Sequence, residues 1–310
     1  MPDVTTVHIL LATFNGGRFL AQQLASLARQ THTDWTLTVS DDGSDDDTLA
    51  IVARFASQVP QTVTVLRGPG RGVTRNFFHL IGNTPGCEKG DLYAFCDQDD
   101  VWLDDKLKRA VAWHSAHASS PVRLYCGRTQ YVNEALAPLG TSRALQRPPG
   151  FGNALVQNIA SGNTMVLDAA LMQGLRQVHP THSVWHDWTT YLVAAALGGM
   201  VHFDDSHGVL YRQHAHNVIG ANEGLRAQLR RLGPVLTGRY RQWSDTNVQA
   251  MHDVQALLTP TAAQCLKDFE LMRRQPFALQ RLGLLLRSPV RRQGFLSNAV
   301  LALAVCLDLA

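Results

Sequence analysis

The chain has 310 residues, of which 45% are hydrophobic and 17% are charged, so it is long enough for one large α/β domain with an appendage or for two domains. Its formal net charge of +3 is too small to indicate nucleic-acid binding, and its five widely spaced cysteines indicate neither a disulfide framework nor a Cys-x-x-Cys zinc site. Such cysteine usage is typical of a reducing, cytoplasmic setting.

The first 130 residues alternate between apolar runs suited to strands and segments with helical spacing of their apolar residues. Residues 1–11 lack the basic start and long apolar core of a signal peptide, so we expect that the protein is not exported. The alternation predicts an α/β fold with a mostly parallel central sheet, right-handed crossovers and flanking helices. We predict strands at 7–12, 35–39, 62–66, 92–96 and 122–126, and helices at 18–30, 48–56, 75–81 and 106–117.

Polar side chains follow three of these strands where each strand ends. Thr13 and Asn15 follow the first strand, Asp42 follows the second, and the acidic segment 97–100 follows the fourth. Ligands of such sheets bind outside the carboxyl ends of the strands. We therefore expect these side chains to meet at one edge of the sheet.

The acidic segment 97–100 carries three carboxylates in four residues. Such carboxylates cannot all be buried unpaired, so they either face water or share a cation. Oxygen ligands of this kind suit Mg²⁺ or Mn²⁺, which usually complete their coordination with substrate phosphates. The alternative is an acidic turn that caps the helix beginning near Asp104.

Two neighbouring segments have simpler structural explanations. Ser44 is predicted to cap the helix at 48–56, with the acidic residues 45–47 in its first turn. The glycines within residues 68–72 match neither a P-loop nor a dinucleotide fingerprint. We interpret them as a flexible turn that leads into the helix containing Arg75.

The pattern is less regular after residue 128. We predict a strand at 164–167, helices at 168–175 and 189–197, and strands at 200–203 and 208–211. His186 and Asp187 lie between two tryptophans before the second of these helices, where Asp187 either caps the helix or takes part in proton transfer. After the last strand, His214 and His216 are weak candidates for metal binding, and Arg212 with His214 would equally suit a diphosphate.

The rear of the chain is basic and reads as helical, at 222–232, 246–258 and 262–274. Most of the acidic clusters precede residue 110, whereas many arginines follow residue 220. This distribution suggests a metal-binding front half and a basic rear half that faces something anionic. The arginines that follow residue 220 are Arg226, Arg230, Arg231, Arg239, Arg241, Arg273, Arg274, Arg281, Arg287, Arg291 and Arg292.

Residues 295–310 hold thirteen apolar residues in sixteen, which is too few for a membrane-spanning helix. Such a stretch either lies in a bilayer interface or packs on the core. An acceptor carried on a polyprenyl diphosphate would suit both the basic rear half and this tail.

Five segments occur in a recognisable order. They are Leu11-Ala12-Thr13-Phe14-Asn15, Val39-Ser40-Asp41-Asp42-Gly43-Ser44, Phe95-Cys96-Asp97-Gln98-Asp99-Asp100-Val101-Trp102, His186-Asp187-Trp188 and Tyr211-Arg212-Gln213-His214. Together they closely resemble the motifs of the family 2 glycosyltransferases, in particular the rhamnosyltransferase-like branch, over roughly the first 220 residues. The resemblance implies a GT-A fold, a nucleotide-sugar donor, a divalent metal and an inverting mechanism. dTDP-rhamnose is the favoured donor, with UDP- and GDP-sugars as alternatives.

The resemblance also assigns roles to donor-binding residues. Asp42 resembles the carboxylate that contacts the nucleotide base, and Thr13 and Asn15 line the same pocket. Asp97 and Asp99 match the Asp-x-Asp pair, in which Asp99 coordinates the metal and Asp97 points to the ribose or the metal. The other candidates for contact with the donor are Arg75, Arg212 and His214.

Asp187 resembles the catalytic base of the family, which accepts the proton of the acceptor hydroxyl. His186 departs from the family pattern, since many members have an acidic residue there. We expect His186 to tune or orient Asp187, and keep it as the lesser candidate for the base. Asp100 is expected to orient the acidic segment.

We therefore expect a GT-A catalytic domain at 1–220 and a helical region at 221–310 that could contact the cytoplasmic face of the inner membrane. The acceptor would be a growing cell-surface glycan, such as lipopolysaccharide, or a lipid-linked precursor. A sugar nucleotidyltransferase would need a longer, basic glycine-rich loop after the first strand. A non-catalytic sugar-nucleotide sensor would leave Asp187 unexplained, and a glycoside hydrolase would have no use for Asp42 and Asn15.

Overall fold

The computed structural model describes residues 5–86, 90–214 and 238–309. The predicted helix at 222–232, the boundary at 220 between the two expected domains, and His216 lie outside the described residues, as do Arg226, Arg230 and Arg231.

The strands form one mixed sheet. Its order is β3-β2-β1-β4-β8-β6-β9-β5, with β7 paired to β6. β1 to β4 run parallel to one another, and β6 and β9 are also parallel, while β8 is antiparallel to both of its neighbours. The strands are β1 (Val7–Thr13), β2 (Trp35–Asp41), β3 (Val63–Arg67), β4 (Leu92–Cys96), β5 (Val101–Trp102), β6 (Arg123–Val132), β7 (Pro138–Thr141), β8 (Val166–Asp168) and β9 (Met200–Arg212).

Helices flank the sheet, which confirms the α/β fold with a mostly parallel central sheet. Three short 3₁₀ turns, at Gly162–Thr164, Pro180–His182 and Gln255–Leu257, join some of them. The helices are α1 (Leu20–Ala28), α2 (Thr48–Ala56), α3 (Val73–Asn83), α4 (Lys106–Ala116), α5 (Phe151–Ala154), α6 (Ala169–Gln177), α7 (His186–Ala196), α8 (Arg239–Asp253), α9 (Pro260–Arg274), α10 (Ala278–Arg287) and α11 (Phe295–Cys306).

Three sequence-based expectations differ from the structure. The two strands predicted at 200–203 and 208–211 are one continuous strand, β9, whose pairing with β6 shifts register on either side of Arg128. The sequence also did not predict α10. Ser44 does not cap α2, because its hydroxyl donates to Asp41 Oδ1 at 2.6 Å and the helix begins after Asp47.

The side chains of β1 alternate between two cores, one on each face of the sheet. Val7, Ile9 and Leu11 pack with α1, α2 and α4, while Leu10 and Ala12 pack with α3, α6 and α7. This alternation is what a strand buried on both faces requires, since successive side chains point to opposite faces. The strand is thus fixed from both sides, and its carboxyl end is held in one place.

The helices after residue 238 belong to the second of these cores. Tyr240, Met251, Phe269 and Leu301 are buried in the same cluster as Leu10. Thr259 caps α9 by accepting a hydrogen bond from the Ala262 amide at 3.2 Å, so this helix begins at the residue that its capping hydroxyl dictates. The rear helices therefore share their core with the sheet.

The tail at 295–310 divides its apolar residues between two environments. In α11, Leu301, Ala304 and Val305 are buried, which confirms the core alternative for one face of the helix. Phe295 and Leu296 are exposed on the other face. Across the parts of the chain that the structure describes, no helix combines the length and the apolar character needed to cross a bilayer.

Candidate functional site

A cleft of about 1270 Å³ opens beyond the carboxyl ends of β1, β2 and β4. Its position agrees with the expected edge of the sheet. Arg75 and Arg212 are not among its lining residues. Eight of the expected site residues do line it, namely Thr13, Asn15, Asp42, Asp97, Asp99, His186, Asp187 and His214.

Hydrogen bonds fix the residues that follow β1. The Thr13 hydroxyl donates to Asp41 Oδ1 at 2.9 Å, and both groups are buried. Asn15 has a left-handed backbone with φ of 47°, a region that asparagine tolerates better than most residues. Its amide N–H donates to the Ser44 hydroxyl at 2.8 Å, and its side-chain oxygen accepts from the Asp45 amide at 3.0 Å. Hydrogen bonds therefore join the loop after β1 to the loop after β2 at this lip of the cleft.

Asp42 holds the glycine loop that precedes α3. Its two carboxylate oxygens accept hydrogen bonds from the amides of Gly70 and Gly72, each at 2.7 Å. Both glycines have positive φ, of 65° and 86°, which side-chain-bearing residues rarely adopt. We predicted a flexible turn here, and the structure instead attaches the loop to a site residue. The sequence signal was the Gly-x-Gly spacing, which is weak without the position of Asp42.

Gln98 joins the acidic segment to the loop after β1, a role that the sequence did not reveal. Its side-chain oxygen accepts from the Phe14 amide at 2.9 Å, and its side-chain nitrogen donates to the Phe14 carbonyl at 3.0 Å. A Cβ on Gly16 would overlap this side chain, so the glycine allows the close approach. These two hydrogen bonds thus join the two loops at the base of the cleft.

Arg212 lies behind the acidic segment, which corrects the expectation that it contacts the diphosphate. It is fully buried, and its Nε donates to the Asp99 carbonyl at 2.8 Å. The rest of the guanidinium donates to Gln22 Oε1 at 2.6 Å and to the carbonyl of Glu134. Its positive charge also lies over the ring of Phe19, at 4.5 Å from the centroid. Arg212 therefore positions the segment and does not face the cleft.

Asp100 is also structural. It is fully buried and accepts hydrogen bonds from the Arg212 amide at 3.1 Å and from the Asn163 side chain. Burial, and then the charges of Asp99 and Asp97, raise its pKa well above the usual range. This placement agrees with its expected role of orienting the segment.

Asp97 and Asp99 face the cleft. Asp99 Oδ2 lies 2.7 Å from Nε2 of His214, whose ring packs on Phe19 at 5.1 Å between centroids. Burial, followed by the negative charges of Asp99 and Asp187, raises the pKa of Asp97 to about 8. Asp97 is therefore close enough to both carboxylates to interact with them.

The donor set fits a metal ion held jointly with a substrate. Among residues 5–86, 90–214 and 238–309, no group of three or more His, Cys, Asp or Glu side chains converges as a complete metal site. Mg²⁺ and Mn²⁺ need fewer, since one or two carboxylates suffice when phosphates and water supply the rest. Burial raises the pKa of Asp97 most, followed by repulsion from Asp99 and Asp187, and a cation beside Asp97 and Asp99 would relieve that repulsion.

Asp187 lies in the first turn of α7, where the helix dipole favours a carboxylate. Its Oδ1 accepts from the Trp188 amide at 2.6 Å. Burial raises its pKa to about 6, although hydrogen bonds from Trp188, Asn158 and Gly162 oppose that rise. A carboxylate with such a pKa is ionised near neutral pH and still basic enough to accept a proton.

His186 is a core residue beside the site. Its ring stacks on Phe77 at 3.7 Å between centroids and meets Phe95 edge-on at 5.1 Å. Burial lowers its pKa to about 3, so the imidazole is neutral and a poor proton acceptor at neutral pH. This corrects its place as the lesser candidate for the base. Its Nε2 faces Gly162, where a Cβ would overlap it.

The far wall of the cleft was not predicted. Gln293 ties this wall together, because its side-chain oxygen accepts from the amides of Gln146 and Arg147 at 3.0 and 2.9 Å. The backbone amide of Gln293 donates to Gln157 Oε1 at 2.8 Å. No sequence motif marks these residues, since their contacts join segments about 140 positions apart. The wall also includes Arg143, Gly294 and Ser297.

Comparisons with known proteins agree with this geometry. The family model described as "Glycosyl transferase family 2" matches residues 8–179. A relative described as "dTDP-rhamnosyl transferase RfbG", from Shigella flexneri, is 29% identical over 246 residues, which cover 75% of this chain and 81% of the relative.

Two further known proteins are similar to this chain. A relative from Escherichia coli, "UDP-Glc:alpha-D-GlcNAc-diphosphoundecaprenol beta-1,3-glucosyltransferase WfgD", is 27% identical over 171 residues, covering 55% of this chain and 63% of the relative. The crystal structure of S. aureus TarS 1-349 in complex with UDP-GlcNAc matches with a TM-score of 0.55 at 17% identity, over 91% of this chain and 80% of that one. At such low identity the structural match shows the fold alone.

Proposed function

Since this chain belongs to glycosyl transferase family 2 and has the GT-A fold, we propose that it is a metal-dependent, inverting glycosyltransferase. It would move a sugar from a nucleotide-sugar donor to a hydroxyl group of a glycan or a lipid-linked acceptor. The observation that carries the proposal is the meeting of Asp97, Asp99 and Asp187 in one cleft, with the charge of Asp187 acting on Asp97.

The lip formed by Asp42 and the loops after β1 and β2 would receive the nucleotide. Thr13, Asn15 and Asp42 line this part of the cleft, and the two glycines held by Asp42 leave room for a planar base. Gln98 and Arg212 keep the base of the cleft rigid, so that the donor binds to a pre-formed site.

Asp99, with Asp97, would hold Mg²⁺ or Mn²⁺ together with the donor diphosphate. A metal bound there neutralises the negative charge that develops on the leaving diphosphate. The Nε2–H of His214 would donate to Asp99 Oδ2, 2.7 Å away, and hold the carboxylate in a fixed orientation. The role of this chain is thus to keep two carboxylates close together despite their repulsion.

Asp187 would act as the general base. Its carboxylate accepts the proton of the acceptor hydroxyl while the new bond to the anomeric carbon forms. Attack on the face opposite the leaving group in a single displacement inverts the anomeric centre, and the proton ends on Asp187. His186 would fix the start of α7 through its stacking on Phe77.

We favour rhamnose from dTDP-rhamnose as the transferred sugar, because a dTDP-rhamnosyl transferase is among the relatives. A relative named for a diphosphoundecaprenol-linked substrate supports a lipid-linked acceptor, and transfer would then take place at the cytoplasmic face of the membrane during cell-surface glycan assembly. A nucleotidyltransferase is less consistent, since the short loop after β1 is tied to Ser44 and Gln98, and its one basic residue, Arg18, pairs with Glu134.

A donor panel tests this proposal. The chain is incubated with dTDP-rhamnose, UDP-sugars or GDP-sugars, with and without Mn²⁺, and the release of nucleoside diphosphate is measured before and after acceptor is added. We expect metal-dependent release from one donor class that increases with acceptor. Formation of nucleoside triphosphate and sugar 1-phosphate when pyrophosphate is added in place of acceptor would instead identify a nucleotidyltransferase, and tight binding without any turnover would identify a sensor.

A further inference from the structure

The described part of the chain after residue 270 carries an unusual share of the exposed apolar surface. Of the fifteen large apolar side chains that are exposed in the described residues, eight lie between residues 271 and 307. The most exposed are Phe295, Leu279 and Leu286, at 89%, 82% and 75%. Scattered exposed apolar residues are ordinary, but a concentration of this kind marks an interaction surface.

Within each helix these side chains repeat at helical spacing. Leu279 and Leu286 are seven residues apart on α10, so they lie on one face of that helix, while Arg281 and Leu285 are buried on the other. Leu296 and Leu303 show the same seven-residue spacing on the exposed side of α11. We define the α10–α11 surface by its exposed members, which are Phe277, Leu279, Leu286, Phe295, Leu296 and Leu303.

The two helices form one unit. α10 and α11 pack against each other, and Arg281 of α10 donates to the carbonyls of Val305 and Cys306, both at 2.7 Å. These bonds satisfy carbonyl groups at the end of α11 that have no partner within the helix. The exposed residues of both helices are thus presented on a fixed support.

The segment that carries this surface has charge of one sign, although Glu270 and Asp308 flank it and pair with Arg274 and Arg241. Residues 271–307 contain six arginines and no aspartate or glutamate. Arg281 is buried and Arg273 pairs with Asp245, but Arg287 and Arg291 are exposed and form no ion pair among the described residues. A second copy of the chain docked face to face would bring these charges together, whereas an anionic lipid surface would complement them.

We propose that the α10–α11 surface binds an anionic lipid bilayer, with its apolar side chains in the interface and its arginines among the headgroups. Helices of ten and twelve residues are too short to cross a bilayer but long enough to lie in its interface. Together, apolar contact and basic charge provide the two signals that stable peripheral attachment requires.

The position of this surface gives it a role in the reaction. Gly294 and Ser297, at the start of α11, line the cleft, and Gln293 beside them holds the wall loop at Gln146. A chain bound through α10 and α11 therefore opens its cleft close to the headgroup layer. Delivery of a lipid-linked acceptor to Asp187 rests on the proposed transferase activity, but the membrane binding does not.

Vesicle flotation with the full chain tests the surface. Vesicles of phosphatidylcholine alone are compared with vesicles that also contain phosphatidylglycerol, at low and high salt. We expect binding to the anionic vesicles that weakens with salt, and a loss of at least about tenfold in L286E and in the double variant R287Q/R291Q. L139E is the matched control, because Leu139 is 61% exposed on β7, far from these helices in sequence, and should leave binding unchanged.

Several results would overturn the proposal. Equal binding of L286E and the unchanged chain, or equal binding to neutral and anionic vesicles, contradicts it. So does a dimer, measured by light scattering, that L286E dissociates while vesicle binding is absent. Release of nucleoside diphosphate, before and after acceptor is added, is measured on the same samples. Binding without any such release would leave the membrane surface standing and reject the transferase, while release without binding would do the reverse.

Discussion

The carboxylates of Asp97 and Asp187 interact across the cleft, since the negative charge of Asp187 contributes to the raised pKa of Asp97. One residue follows the central strand β4 and the other begins the helix α7, about 90 positions later. Their meeting connects the end where the donor is expected with the end where the acceptor hydroxyl must lose its proton.

Replacing Asp187 with asparagine should lower kcat by about 10²–10⁴-fold, which is the usual contribution of a general base. The amide is nearly the same size and can still accept from the Trp188 amide, so α7 should keep its start. Donor binding, measured by titration calorimetry, should change little. A D187N variant with normal turnover would show that another group takes the proton.

The pH dependence of kcat/KM should report the ionisation of Asp187. Because burial raises its pKa to about 6, the carboxyl is protonated and inactive as a base below that pH. The rate should therefore rise through about pH 6 and reach a plateau above it. Saturating Mn²⁺ is needed in the measurement, since a cation favours the charged form of Asp97. A profile that keeps the same inflection in the residual activity of D187N would contradict the assignment.

Gly162→Ala should damage catalysis through His186. The added Cβ would overlap the imidazole Nε2 and would lie 3.4 Å from Cβ of Asp187, so the ring or the start of α7 must shift. We expect kcat to fall by about tenfold or more, with a smaller change in the donor KM. Gly150→Ala is the control, because that position has extended backbone and open space. Equal activities of the two variants would exclude the positioning role.

Gly72→Ala should loosen the loop that Asp42 holds. The backbone of Gly72 has φ of 86° and ψ of 169°, a conformation that costs about 1–3 kcal/mol for other residues. The free energy of unfolding should decrease, and the donor KM should increase. Gly82→Ala, inside α3 with open space around it, should instead stabilise the chain by about 0.5–1 kcal/mol. Chemical denaturation of both variants checks the contrast.

Arg212→Lys should be destabilising even though the charge is kept. A lysine lacks the planar guanidinium group with its several N–H donors. It therefore cannot donate at the same time to Gln22 and to the carbonyls of Asp99 and Glu134. We expect a loss on the order of 3 kcal/mol in the free energy of unfolding, as for other broken buried networks. Arg18→Lys, at an exposed ion pair with Glu134, should cost less than about 1 kcal/mol. Similar losses in the two variants would contradict the buried role of Arg212.

The sequence predicted the front of the molecule well because that part is governed by local rules. The alternation of strands and helices located the edge where Asp42, Asp97 and Asp99 lie, and the ordered motifs indicated the family. The insertion of β8 between β4 and β6 was not predictable in this way. It depends on pairing between strands far apart in the chain, and no local pattern encodes that choice.

The roles of some side chains could not be predicted either, because they depend on contacts between residues far apart in the chain. Arg212 and the diphosphate-binding arginines of many enzymes look alike in a sequence, and only the burial of Arg212 separates them. Gln98 sits between two aspartates that attract attention, yet its bonds to Phe14 join two loops. The low pKa of His186 follows from its burial, and no residue near it in sequence indicates that burial.

Leu10 of β1 and Phe269 of α9 lie in the same one of the two cores. This shared packing limits how the protein can be divided into fragments. A fragment ending near residue 220 would lose the contacts that α8 and α9 make with α7, so the buried side chains of α7 would lose part of their cover. Donor and acceptor recognition must therefore be separated by point substitutions in the intact chain. The same constraint ties the inward faces of the rear helices, Phe269 among them, to the sheet that carries the candidate site.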